Sequence, residues 1–273
     1  MGKPRGIMRR ADPLPCRFLS TRAEVFLMSR FAVILPAAGQ SSRFHDREKK
    51  VFATLDGRAV WLRSAELFVT RDDVCQCIIV VAPDDQEVFR SRYGANLAFM
   101  NVQIANGGRE RSESVANALA MVKPEAEFVA IHDAARPCLT APLVDSVFSE
   151  AKKTGAAMLA VPVADTIKRA DSANRITETV PRQGLWLAQT PQVFRREWLV
   201  EAYAKRAQHG KEITDDAQLV EAAGHAVHVV TGASTNVKIT TKEDLILAEA
   251  VLKARPKPKP KAPIHPFDDE ARW

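Results

Sequence analysis

The chain has 273 residues, 46% of them hydrophobic, enough for one sizeable α/β domain or two small ones. No apolar run approaches the ~18 residues of a membrane span, and Cys16, Cys75, Cys77 and Cys138 show neither metal-ligand spacing nor a disulfide framework. The net charge of +6 invites a nucleic-acid partner, but residues 1–30 carry +5 and residues 251–273 carry +3, so the other 220 residues sum to −2. A basic surface confined to the tails argues against nucleic acid.

Residues 1–29 hold three prolines and scattered arginines around a short apolar patch at 25–28, too short for a signal-peptide core. They are expected to form a disordered extension. The same Arg-rich, acid-poor leader also fits a transit peptide, which would send the chain to a plastid rather than leave it in the cytoplasm. Met28 stands where a later start would fall.

Residues 30–254 read as one domain in which strand and helix patterns alternate. Phe31 to Leu35 is an unbroken apolar run, a buried parallel strand that stops at Pro36. Residues 59–69 carry apolar side chains at helical spacing, and 77–82 is a second buried strand, with Asp84 placed to cap the helix after it. A short strand at 102–104 leads through Gly107-Gly108 into a helix over 110–121. A strand at 128–131, a helix near 141–152 and a strand at 157–161 continue the series. The alternation predicts a doubly wound, Rossmann-like, mostly parallel sheet, with ligands at the carboxyl ends of its strands.

Residues 163–184 break the rhythm. Stretches at 167–170 and 175–180 flank the turn-like Asp171-Ser172-Ala173-Asn174 and predict a β-hairpin arm. A two-stranded ribbon is marginal alone, so a second copy of the chain is expected to cover it. Helices at 197–208 and 216–223, a strand at 226–230 and a helix at 242–252 follow. Residues 255–273 alternate Pro and Lys at first and are expected to form a disordered, polyproline-type tail.

The chemistry-bearing stretches fall at the expected strand ends. Pro36-Ala37-Ala38-Gly39 has small side chains that let a ligand approach the backbone. Fanned N–H groups there make an anion-binding concavity, and Arg43, Lys49 and Lys50 add charge suited to a polyphosphate. The loop has neither the Gly-Lys-Ser/Thr of a P-loop nor G-x-G-x-x-G, and alone it also fits an ordinary strand-to-loop corner. Gly107-Gly108 allows a close turn. Arg111 and Ser114, three apart, share the first exposed face of the next helix, whose free N–H groups suit a base edge or phosphate. Asp133, in His132-Asp133-Ala134-Ala135-Arg136-Pro137, suits a ribose hydroxyl or a magnesium ion, or else pairs with Arg136; His132 reads as a core histidine. Thr166 and Arg182 flank the hairpin, and Gln189-Thr190-Pro191-Gln192 follows it. Asn236-x-Lys238 ends the last strand pattern, before a capping spacing at Thr240-Thr241-Lys242-Glu243-Asp244. Taken singly, Arg182 and Lys238 also fit solvated charges.

Pro36-Ala37-Ala38-Gly39-x-x-x-Arg43 followed by Lys50 resembles the signature loop of sugar-nucleotide-forming nucleotidyltransferases. With His132 to Pro137, Arg182-x-Gly184-Leu185-Trp186, Thr190-Pro191-Gln192, Ile213-Thr214-Asp215 and Asn236-x-Lys238 in that order, the chain resembles the 2-C-methyl-D-erythritol 4-phosphate cytidylyltransferase family over residues 31–252. The resemblance implies a Rossmann-like domain and a β-arm, residues 163–184, that forms a homodimer. It implies transfer of CMP from CTP to methylerythritol phosphate, with pyrophosphate released and Mg2+ as cofactor, in non-mevalonate isoprenoid synthesis. By the same resemblance Ala37, Ala38 and Gly39 line the nucleotide, and Arg43 and Lys50 hold its phosphates. Gly108 and Ser114 read cytosine, with Arg111 supporting that loop, and Asp133 serves the ribose or the metal. Thr166, Arg182, Thr190 and Lys238 hold the acceptor, the first two from the partner's arm. Arg43, Lys50, Arg182 and Lys238 are then the catalytic cations.

Two departures stand out: Lys49 replaces the family's usual Pro before the loop lysine, and Arg109 stands where some members have Asp. Ile213-Thr214-Asp215-Asp216 matches the family but reads only as a helix cap and buttress. The physical logic agrees with the resemblance. Joining two multiply anionic reactants needs alignment and charge cancellation, and a phosphate dianion attacks without a general base. Acceptor choice rests on pocket shape, so another polyol phosphate such as ribitol 5-phosphate stays open, as does a non-catalytic nucleotide-binding protein. No membrane or nucleic-acid partner is expected.

Overall fold

The computed structural model describes Gly2, residues 30–39, Phe44 and residues 49–208 and 213–256. The expectations for the leader up to residue 29 (Gly2 aside), for Arg43, for Cys16 and for the tail from residue 257 lie outside the described residues. In chain order the strands are β1 (Phe31–Pro36), β2 (Thr54–Leu55), β3 (Arg58–Ala59), β4 (Val74–Val81), β5 (Val102–Asn106), β6 (Phe128–Ile131), β7 (Ala156–Pro162), β8 (Ile167–Ala170), β9 (Ile176–Val180), β10 (Trp186–Arg195) and β11 (His228–Thr231). The helices are α1 (Val60–Val69), α2 (Gln86–Phe99), α3 (Arg111–Leu119), α4 (Ala141–Thr154), α5 (Arg196–Ala204), α6 (Asp216–Ala222) and α7 (Lys242–Ala254).

One seven-stranded sheet runs β11-β7-β10-β6-β1-β4-β5. All its pairings are parallel except those of β10, which lies antiparallel between β6 and β7. β1 sits between β4 and β6 with Phe31 to Leu35 fully buried. Successive side chains point to opposite faces: Phe31, Val33 and Leu35 join α1, α2 and α4 in one core, while Ala32 and Ile34 join α3, α5 and α6 in the other. A strand covered on both sides has no polar positions, which explains its unbroken apolar run. The chain leaves β1 toward β4 and β5 on one side and later returns through β6 on the other. That reversal opens a crevice at the carboxyl ends of β1 and β6, where this architecture binds ligands. A third, smaller cluster seats α7 through Ala248 against Phe44, Leu55, Cys138 and Ile239. The Thr241–Asp244 capping box starts that helix as the spacing predicts.

Several expectations need correction. β10 was not foreseen: Pro191 and the polar Gln189, Thr190 and Gln192 hide it, and its pairing with β7 shifts between Ala188 and Gln192. The β2–β3 hairpin was also missed, although Asp56 (φ 47°) and Gly57 (φ 79°) form the left-handed Asp-Gly turn such hairpins favour. Asp84 does not cap α2; Pro83–Asp85 is a 3-10 turn, and Asp85 takes the N-cap position. The helix expected at 197–208 ends at Ala204, followed by a separate 3-10 turn, Arg206–Gln208. Asn236 and Lys238 lie in the loop after β11, not at its end.

Candidate active site

The ends of β1, β4 and β5 are tied together by backbone. The Ala37 N–H donates to the Val80 carbonyl at 2.9 Å, and the Gly107 N–H donates to Val81 at 2.8 Å. A Cβ on Gly107 would stand 2.5 Å from the Cβ of Ala38, so the close approach of these two loops requires glycine. Gly108 donates its N–H to the Ser114 hydroxyl at 2.9 Å, and that hydroxyl donates to the Glu110 carbonyl at 3.0 Å. Ser114 is therefore buried beneath the turn, not on an exposed helix face beside Arg111 as the spacing suggested. Arg109 contributes its backbone N–H, which is held by Glu113 at 2.8 Å.

Asp133 is the electrostatic centre. It is buried and faces three cations: Lys238 at 3.0 Å, Arg136 at 3.4 Å and Arg111 at 3.9 Å. Burial pushes its carboxyl up, but Lys238, Arg111 and Arg136 together outweigh burial and hold it well below the usual carboxylate range. The loop is built from beneath. The Asp133 N–H donates to Thr190 Oγ at 3.0 Å, the Thr190 hydroxyl donates to His132 Nδ1 at 3.1 Å, and His132 Nε2–H donates to the Arg136 carbonyl at 3.2 Å. His132 has no exposed surface, and burial pushes it down to about 4. It is a neutral core histidine with both nitrogens used.

These parts enclose a cleft of about 400 Å3 lined by Ala37, Ala38, Gly39, Lys49, Lys50, Asp84, Gly108, Arg111, Ser114, Asp133 and Lys238, among others. A larger groove of about 570 Å3 lies between α1 and α2, but no motif residue lines it. Thr166 and Arg182 do not border the cleft of their own chain. Both are exposed and flank the ribbon, where Arg182 donates to the Ala164 carbonyl. Thr190 lies beneath the cleft, at the Asp133 loop.

The sequence matches the profile of the IspD family, 2-C-methyl-D-erythritol 4-phosphate cytidylyltransferase, over residues 31–254. The chain belongs to this family. A family member of that name from Rhodopirellula baltica is 43% identical over 232 residues, covering 81% of this chain and 94% of the relative. One from Dechloromonas aromatica is 42% identical over 233 residues, covering 84% and 100%. Among solved structures, the cytidylyltransferase from Thermus thermophilus superposes with a TM-score of 0.68 at 33% identity, covering 82% of this chain and 99% of that one. The 4-diphosphocytidyl-2C-methyl-D-erythritol synthase from Anaerococcus prevotii gives 0.70 at 27%, with 82% and 99% covered.

Within this cytidylyltransferase fold Ile213-Thr214-Asp215-Asp216 forms the helix cap and buttress that its sequence suggests, and the buttress reaches Arg111. Asp216, fully buried, accepts from Arg111 at 2.7 Å and from the Tyr203 hydroxyl at 2.5 Å. Gln192 of β10 accepts from the N–H groups of Asp216 and Ala217 at 3.2 and 3.0 Å, and Asp215 caps α6 through Gln218. The signal was present in Thr214-Asp215-Asp216. Only the placement of Tyr203 and Arg111 shows that the second carboxylate holds a cleft arginine.

Proposed function

We propose that this chain transfers CMP from CTP to 2-C-methyl-D-erythritol 4-phosphate, giving 4-diphosphocytidyl-2-C-methyl-D-erythritol and pyrophosphate. The observation that carries the reading is the gathering of the small-residue loop, Lys50, the Gly108 turn and the Asp133–Lys238 pair around one cleft in a chain of this family. The triphosphate lies along Ala37 to Gly39 with Lys50 beside it, and the base meets the Gly108–Ser114 turn. Lys238 leaves Asp133 for the incoming phosphate. An acceptor phosphate oxygen attacks the α-phosphorus in line. A new P–O bond forms as the bond to the β-phosphate oxygen breaks, and the electron pair leaves with pyrophosphate. Arg111, anchored by Asp216, and Lys238 balance charge without a proton transfer.

Among the described residues no three His, Cys, Asp or Glu side chains cluster to hold a metal unaided. One cleft carboxylate, Asp133, fits an ion that arrives on substrate phosphates, as magnesium commonly does. When bound, magnesium would neutralise phosphate oxygens, with Asp133 as its protein carboxylate. We further propose a homodimer in which the β8–β9 arm carries Thr166 and Arg182 to the partner's cleft. The ribbon has a mostly exposed surface, and Ile176, Trp186 and Leu187 on it and at its base are open to solvent. No helix among the described residues is long and apolar enough to cross a membrane. The free thiols of Cys77 and Cys138 are buried, and we place the enzyme in the cytoplasm. Pyrophosphate release from CTP, assayed in parallel with methylerythritol phosphate and ribitol 5-phosphate, tests the reading. Turnover of the second acceptor alone overturns it.

A further inference from the structure

We infer that Lys49 and Asp85 brace the mouth of the nucleotide cleft and thereby position Lys50, an inference that rests on the reaction proposed above. Lys49 and Lys50 stand on the cleft wall that returns from the β1 loop, and Asp84 stands on the wall that leaves β4. The Lys49 ammonium crosses to the Asp85 carboxylate, with only 28% and 20% of the two side chains exposed.

The wall that carries Lys50 is fastened at its far end. Val60 and Trp61 of α1 donate N–H groups to the carbonyls of Ala53 and Val51 at 3.0 and 3.1 Å, and Val51, Phe52 and Ala53 are buried. At its near end the Phe52 N–H closes a turn onto the Lys49 carbonyl at 2.9 Å. Lys50 is the second residue of that turn, so whatever fixes Lys49 fixes the origin of Lys50.

Asp85 is anchored on the other side, its N–H on the Ala82 carbonyl at 3.0 Å. It occupies the N-cap of α2 yet makes no capping hydrogen bond. Its carboxylate is turned to Lys49 instead, a contact 36 residues away in the chain. Such a contact lowers the ordering cost of binding a polyanion, because the wall that bears Lys50 is already in place.

The test compares wild type with Lys49→Ala, Asp85→Ala, Lys49→Arg and the reversed pair Lys49→Asp/Asp85→Lys. CTP affinity is read by calorimetry, and KM and kcat are read for each substrate. Lys49→Ala and Asp85→Ala should each weaken CTP about fivefold, while Lys49→Arg and the reversed pair stay within about twofold of wild type. KM for methylerythritol phosphate and the melting temperature should not move. Tighter CTP binding by Asp85→Ala would make Asp85 a repulsive charge that Lys49 merely masks, and it would overturn the brace. So would wild-type affinity in both single variants, or a reversed pair no better than they are. The calorimetry needs no turnover. A wild-type chain that binds CTP but releases no pyrophosphate with methylerythritol phosphate therefore defeats the proposed reaction, while the affinities still decide the brace.

Discussion

Lys50 and His132 show how differently two residues near one cleft serve it. If Lys50 meets the charge that builds on the phosphates during the proposed transfer, Lys50→Ala should lower kcat about 10²–10³-fold, by analogy with removal of one preorganised donor. A kcat near wild type with only KM for CTP raised would show that the lysine binds passively. His132 never meets substrate. Its folded-state value is about 4 against 6.5 when exposed, so below pH 6.5 the unfolded chain takes up a proton that the folded chain resists. Stability should fall between pH 6.5 and 4 by up to about 3 kcal/mol, at ~1.4 kcal/mol per unit. Asp133, held below the usual range, loses its contribution only at still lower pH. Urea unfolding of metal-free protein across this window should show a slope that His132→Gln lacks; equal slopes would place the titration elsewhere.

At the scale of elements, the β8–β9 ribbon and β10 are opposites in exposure. The β8–β9 ribbon has cross-strand support from Arg169–Glu178 and Lys168–Thr179, all exposed, and such a ribbon is marginal in water unless covered. If the partner covers it and receives Arg182, then Arg182→Ala and Lys50→Ala chains, each nearly inactive alone, should complement when mixed. A mixed dimer places both defects in one site and leaves the other whole. Random exchange should restore about a quarter of wild-type sites by this symmetric-interface argument. Subunit exchange without recovery would mean that each chain builds its own site. β10 has the opposite character: it lies inside the sheet and delivers Thr190 to His132 and Gln192 to α6.

For the whole molecule, the folded body includes residue 255, past the expected boundary at residue 254, since Arg255 donates to the carbonyls of Cys138 and Leu139. Removal of residues 1–28 and 257–273 takes away ten Lys/Arg and five Asp/Glu. We expect the shortened chain to keep wild-type turnover and to lose any weak, salt-sensitive DNA binding. Loss of soluble, folded protein on that truncation would refute the single-domain reading of residues 30–254.

The sequence by itself determined what local chemistry encodes. The apolar run from Phe31 to Leu35 needed only its composition to read as a buried strand, because burial on both faces leaves no alternation to decipher. The order of Ala37 to Gly39, Gly108, Asp133 and Lys238 along the chain carried the family likeness. It could not reveal β10, whose antiparallel place between β6 and β7 depends on partners far away in the chain and whose polar residues face a network rather than water. Nor could it show that Ser114 is buried, that Asp216 holds Arg111 or that Lys49 reaches Asp85. The Ser114 hydroxyl turns inward onto the neighbouring Gly108 N–H and Glu110 carbonyl, and the other two are contacts between charges distant in sequence that only the folded chain brings within bonding distance.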